Sequence, residues 1–230
     1  MIRANCRNRF SADDFDFIVK TLAKSSNEAI SLTELLTEED TRDAILDHEL
    51  LAKTILAGRS QLAISPQFYF YILLRHVLKQ TALSDRGVCD YLASLLETFS
   101  RTAFLRTPGT APGNPGEYVS DMLLALRDAT PHQQFLIRAH VGNYTLFLSG
   151  IFPERVARRS QRGAPDFSFY EGMGSSNFRA VSQHQVARTC DLSTIYETLA
   201  DTFHEVRLAL NRVADRLFHL DEPAPGFLLP

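Results

Sequence analysis

The sequence predicts an all-α fold, a single multi-helix bundle of about eight helices with a Pro/Gly-rich loop near its middle. Two observations carry that prediction. Apolar residues recur at helical spacing along most of the 230 residues, behind hydroxyl, acidic or proline start signals. No segment alternates apolar and polar residues between turn signals, as half-buried strands do.

The first helix opens at Ser11-Ala-Asp-Asp14, where a hydroxyl cap and two acids suit the free N–H groups and positive dipole end. Phe15, Ile18, Val19 and Leu22 supply its apolar stripe. A second helix is expected over 41–56, ended by Gly58. Ser65 and Pro66 fit the cap and first turn of the next. Its run of Phe68, Tyr69, Phe70, Tyr71, Ile72, Leu73 and Leu74 has no polar face. That suits a buried central helix. A buried strand competes, but continuation to Gln80 gives helical length. Ser84-Asp-Arg-Gly opens a helix through about Phe99.

Residues 107–116 hold three prolines and three glycines, so they read as an exposed loop or hinge. The hinge divides the chain into halves 1–106 and 117–222 without a repeat, and one domain over 1–230 is the expected organisation. Helices follow over 117–127 and 131–149, with Gly150 and Pro153 breaking the second. A short basic helix, 153–159, leads past Gly163 and Pro165 into 166–186, capped by Asp166. Ile195, Leu199, Phe203, Val206, Leu210, Val213, Leu217 and Leu220 then mark one helix over 193–220, its seam about 39 Å long at 1.5 Å per residue. That seam packs inside its own bundle or forms a homodimer seam. Residues 221–230 are expected to be irregular.

Composition is that of a globular protein, 45% apolar and 22% charged. Cys6, Cys89 and Cys190 form no CxxC pair, which predicts inert thiols in a reducing compartment. With no secretory signal and no apolar run long enough to span a bilayer, the expected location is cytoplasmic, without a membrane partner. Net charge is −3 but uneven. Segment 11–50 carries eleven acids against three bases, 140–190 six arginines against three acids, and 191–230 seven acids against three arginines. Overall acidity argues against a nucleic-acid partner. The arginines of 140–190 are expected to pair internally with the acidic segments.

The segment 140–184 departs from plain helix. Gly142, Gly172 and Gly174 lie inside expected helices, where glycine costs about 1 kcal/mol relative to alanine. They mark either close helix approach or room for a ligand. On the ligand reading, Tyr144, Ser149, Arg155, Tyr170, Glu171 and Arg179 form a polar pocket between helices 131–149 and 166–186. A satisfied buried network is the competing account. Arg158, Arg159 and Arg162 offer a basic patch for an acidic partner or an anion. Gly172-Met-Gly174 lacks the third glycine, preceding strand and following lysine of a nucleotide loop.

Asp201-Thr-Phe-His204, with Glu197 and Glu205 nearby, has half of a helical di-metal motif. No second half exists, and Asp47-His48-Glu49 has the wrong spacing. A haem would rest on a lone His76 or His140. No metal and no cofactor is therefore predicted, and no nucleophile assembly is visible. The function expected is an interaction or regulatory module, working through the arginine-bearing 140–180 region or through self-association of the 193–220 helix. A small-molecule binder or enzyme, and a metal- or haem-binding bundle, are the alternatives.

Overall fold

The computed structural model describes residues 1–58, 62–101 and 115–218. Every regular element among them is helical: one 3-10 turn (Arg7–Arg9) and thirteen α-helices, against about eight expected. They are α1 (Ala12–Leu22), α2 (Ser26–Leu35), α3 (Glu39–Leu46), α4 (Glu49–Ala57), α5 (Pro66–Leu78), α6 (Arg86–Ser100) and α7 (Pro115–Ala125). After these come α8 (Pro131–Ile151), α9 (Pro153–Ser160), α10 (Phe167–Ser182), α11 (Gln185–Thr189), α12 (Ser193–Asp201) and α13 (Phe203–Phe218). None of them is long and apolar enough to cross a membrane.

The starts follow from the caps. Ser11 forms a reciprocal capping box with Asp14. The carboxylate of Asp14, fully buried, also accepts from the backbone N–H (2.6 Å) and hydroxyl (2.7 Å) of Ser65, so the caps of α1 and α5 are one hydrogen-bonded unit. Asp85 caps α6 and Asp166 caps α10. Gly58 follows α4 at once.

The excess of helices comes mostly from short breaks in expected helices, plus α2, which the sequence reading passed over. The expected helix 41–56 is two helices. His48 has extended backbone and its Nδ1 accepts from the Leu50 N–H (3.2 Å), capping α4. The expected helix 166–186 ends at Ser182, and His184 caps α11 in the same way through the Val186 N–H (3.1 Å). The continuous helix over 193–220 breaks at Thr202, whose hydroxyl bonds back to the Thr198 carbonyl (2.7 Å) at φ −117°, ψ 27°. Pro115 and Gly116, assigned to the loop, instead open α7. Positions 107–114 of the loop and the tail 221–230 lie outside the described residues.

α8 is the centre, with every residue from Val141 to Ile151 buried. Three glycines set how closely its neighbours approach. A Cβ on Gly142 would stand 2.7 Å from the Phe178 ring of α10, and one on Gly150 2.8 Å from Leu210 of α13. A Cβ on Gly174 of α10 would strike the Phe203 ring and stand 2.7 Å from the Thr145 hydroxyl. Gly172 faces open space. Close helix approach thus accounts for Gly142 and Gly174 but not for Gly172.

α5 packs on α6 and α13, and α12 packs on α6 and α10, so helices from before and after the 102–114 stretch share one core. Tyr91 of α6 donates to Asn143 of α8 (2.8 Å), both buried. Ile195, Leu199, Phe203, Val206, Leu210 and Val213 are all buried in this core, so the seam is occupied by the chain's own helices. The side chain of Leu217 and all of Leu220 fall outside the described residues.

The thiols differ in access. Cys6 donates to the Gln67 carbonyl (3.2 Å) and Cys89 is fully buried, and burial pushes both thiols above the ordinary range. Cys190 is half-buried. In the native protein an aromatic disulfide reagent is expected to titrate Cys190 alone, and all three thiols after unfolding. Rapid native labelling of Cys89 would contradict this packing.

Candidate functional site

The sequence-predicted residues fall into three separate neighbourhoods. Glu171, on α10, is the hub of the first. Its Oε1 accepts from Arg207 Nε (2.5 Å) and lies 2.9 Å from His204 Nδ1. Arg207 donates on to Asn211 Oδ1 (3.0 Å), and Asn211 Nδ2 donates to the carbonyls of Ser149 (3.1 Å) and Gly150 (2.6 Å). Those carbonyls lie in the last turn of α8, where intrahelical partners run out. The guanidinium of Arg207 also stands 4.7 Å from the Phe167 ring centre, in cation–π range. The cluster therefore ties α10, α13 and the end of α8 together through one largely buried arginine. Ser149 takes part only by its backbone, since its hydroxyl donates to the Thr145 carbonyl (2.7 Å).

Chemically, the 2.9 Å bond to Glu171 requires a proton on His204 Nδ1. The 3.5 Å approach of Arg207 to the same nitrogen is then a contact rather than a hydrogen bond. The imidazole is otherwise exposed. No serine, cysteine or threonine hydroxyl or thiol is hydrogen-bonded to His204 among the described residues, so no nucleophile–base pair forms here.

Tyr170 belongs to the second neighbourhood. Its ring is buried, and burial raises the phenol above its ordinary pKa while Arg159 and Arg155 of α9 pull it down. Arg155 and Arg158 are exposed on α9 and line a cleft of about 190 Å³ with Ile151, Phe152, Pro153 and Ala214. Glu154 and Asp215 share its rim. The cleft forms where Phe152, at φ −123° and ψ 54°, turns the chain between α8 and α9; Pro153 marks the break as expected, but Gly150, expected to end the helix, is still helical. Among the described residues Arg158 Nε reaches the Glu154 carbonyl (3.4 Å). Arg159 is half-buried, and Arg162 is exposed in the turn that follows.

The third neighbourhood is Arg179, ion-paired to Asp201 of α12. Tyr144 is buried on α8, its ring 6.4 Å from His140. Five of the six residues expected to converge on a polar pocket are thus distributed among a buried network, a surface cleft and a surface ion pair, and Tyr144 lies apart from all three. His204, Arg207, Asn211 and Phe167 are the network members the sequence reading missed.

The charge pattern resolves unevenly. Of the arginines of 140–190, Arg179 pairs with an acid of the C-terminal segment, Asp201, as internal pairing predicts. Arg155, Arg158 and Arg162 have no carboxylate within ion-pairing distance among the described residues. Two acids of the N-terminal segment, Asp43 and Asp47, pair instead with Arg7, Arg75 and Arg86, in an alternating lattice Asp90–Arg7–Asp43–Arg86–Asp47–Arg75. Asp201 and His204 face different partners, and among the described residues no group of three or more His, Cys, Asp and Glu is placed to hold a metal ion. His140 lies against the Phe99 ring, and burial lowers its pKa below the ordinary histidine value. Compared with protein-family models, with curated proteins and with solved structures, the chain matches none.

Proposed function

We propose that this chain is an interaction module that docks an acidic segment of a partner protein on the arginine face of α9. One apolar side chain of that segment would enter the cleft between the end of α8, α9 and α13. The observation that carries this reading is the contrast among arginines. Arg7, Arg75, Arg86, Arg179 and Arg207 are each paired with a carboxylate, whereas Arg155, Arg158 and Arg162 have no ion pair among the described residues, and the first two line the cleft. Guanidinium forks recognise carboxylates bidentately, and a pocket for one apolar anchor supplies the desolvated centre that such interfaces need. The rim carboxylates Glu154 and Asp215 restrict the register of a docked acidic segment by repelling misplaced charge.

The test is co-purification from the cell of origin with the wild-type chain and the triple variant Arg155→Glu, Arg158→Glu, Arg162→Glu, both read by quantitative mass spectrometry. The expected result is a protein retained by the wild type and lost from the variant at unchanged melting temperature. Its retention should fall as salt shortens the Debye length below about 8 Å. Identical retained sets for the two chains would overturn the reading.

A further inference from the structure

A polar cavity that shares no residue with the α9 cleft borders the N-terminal segment. It has a volume of about 250 Å³ and lies between the N-terminal segment and α6, lined by Ile2, Arg3, Asn5, Arg9, Ser94 and Thr98, with Met1 at its edge. Ser94 and Thr98 are four residues apart, so they share one face of α6. Ser94 is only 3% exposed, and its hydroxyl has no hydrogen-bond partner among the described residues. A buried hydroxyl without a partner costs about 1–3 kcal/mol, which makes such groups uncommon unless something else satisfies them. No carboxylate lines the cavity.

The nearby acids lie beside arginines, although Glu97 Oε1 makes no hydrogen bond among the described residues. Glu97, next to Thr98, is held by Arg101 (2.5 Å) and approached by Arg9 (3.5 Å), and Asp90 by Arg7 (2.9 Å). Arg3 has no ion pair among the described residues. What remains is a concave site with a free guanidinium, a second guanidinium shared with Glu97, an amide and two hydroxyls.

We propose that this cavity binds a small oxyanion, the phosphate or carboxylate group of a free metabolite. Arg3 supplies the charge, while Ser94, Thr98 and Asn5 donate hydrogen bonds to its oxygens. The site shares no residue with the α9 cleft, so the two proposals stand or fall separately.

Isothermal titration at constant ionic strength, with inorganic phosphate in one arm and succinate in the other, tests it on the full chain and on Arg3→Gln and Ser94→Ala. Saturable binding of either anion is expected, with Kd on the order of 1 mM or tighter. Arg3→Gln should weaken it by about tenfold or more and Ser94→Ala by about threefold. Phosphate binding would assign a phosphoryl ligand, and succinate binding a carboxylate one. Without anion, Ser94→Ala is expected to melt higher than wild type, because it removes the unmatched hydroxyl. Added anion should then stabilise the wild type more than the variant. No saturable binding of either anion, or binding equal in all three chains, would overturn the site.

Discussion

Replacing Asp47 with alanine is expected to destabilise the protein by about 3 kcal/mol, well above the loss from an exposed ion pair. Asp47 accepts from Arg75 Nε (2.7 Å) and NH2 (3.1 Å) and from Arg86 NH2 (2.8 Å). Arg75 is only 6% exposed, and among the described residues its other hydrogen bond is to the Ser84 carbonyl. Removing Asp47 leaves that guanidinium buried without a carboxylate, and an uncompensated buried charge costs more than the intact pair contributes. Arg86 retains Asp43 at 3.4 Å, so its share of the loss is smaller. The double variant Asp47→Ala/Arg75→Met should therefore be more stable than Asp47→Ala alone. Urea unfolding of the wild type and these variants measures both quantities. A loss below about 1 kcal/mol for Asp47→Ala would place the pair with ordinary surface bridges.

The same group fixes a pH dependence. Burial pushes the Asp47 carboxyl up, but Arg75 and Arg86 outweigh it and hold the pKa below the ordinary value. Its stabilisation is complete above the unfolded pKa of about 3.9 and is lost as pH falls through the lower folded value. Asp90 has the opposite sign, because burial outweighs Arg7 and raises its pKa. Asp47 therefore contributes a loss of stability on the acid side that Asp90 does not, and Asp47→Ala should reduce that loss.

The helices were legible because their caps are local. Ser11, Ser65, Asp166 and Gly58 act on groups within three or four residues, so a short window of sequence carries the whole interaction. The breaks at Asp47–His48 and Thr202 were not legible for a related reason. An interruption this short leaves apolar residues on one face, so Ile195 to Val213 reads as a continuous seam. The Asp47 side chain is held by arginines 28 and 39 residues away, contacts no periodicity records. The candidate site was legible only in part. Glu171 and the α9 arginines stood out by residue type, but Arg207 lies 36 residues from Glu171 on a helix that read as an ordinary amphipathic face. The cavity at Ser94 was missed because a serine and a threonine one turn apart carry no signal until the N-terminal segment folds over them.

A matched pair of substitutions two residues apart separates close packing from ligand room in α10. Gly174→Ala is expected to cost about 2–3 kcal/mol and Gly172→Ala to gain up to about 1 kcal/mol. Both glycines are helical, so alanine brings the same propensity gain to each, and the difference isolates what the new methyl meets. At Gly172 it meets nothing within 4 Å. At Gly174 it meets the Phe203 ring and the Thr145 hydroxyl. Neither can easily withdraw. Phe203 is buried with its ring 6.1 Å from that of Phe178, which itself fills the notch over Gly142. The Thr145 hydroxyl is fixed on the Val141 (2.8 Å) and Gly142 (3.0 Å) carbonyls. Relief would require α10 to move away from α8, which would pull Glu171 from Arg207 and loosen the hold of Asn211 on the end of α8. Gly174→Ala should therefore also move the amide resonances of Ser149 and Gly150, whereas Gly172→Ala should leave them in place. Equal stability of the two variants would mean that α10 stands clear of Phe203 and Thr145 at Gly174.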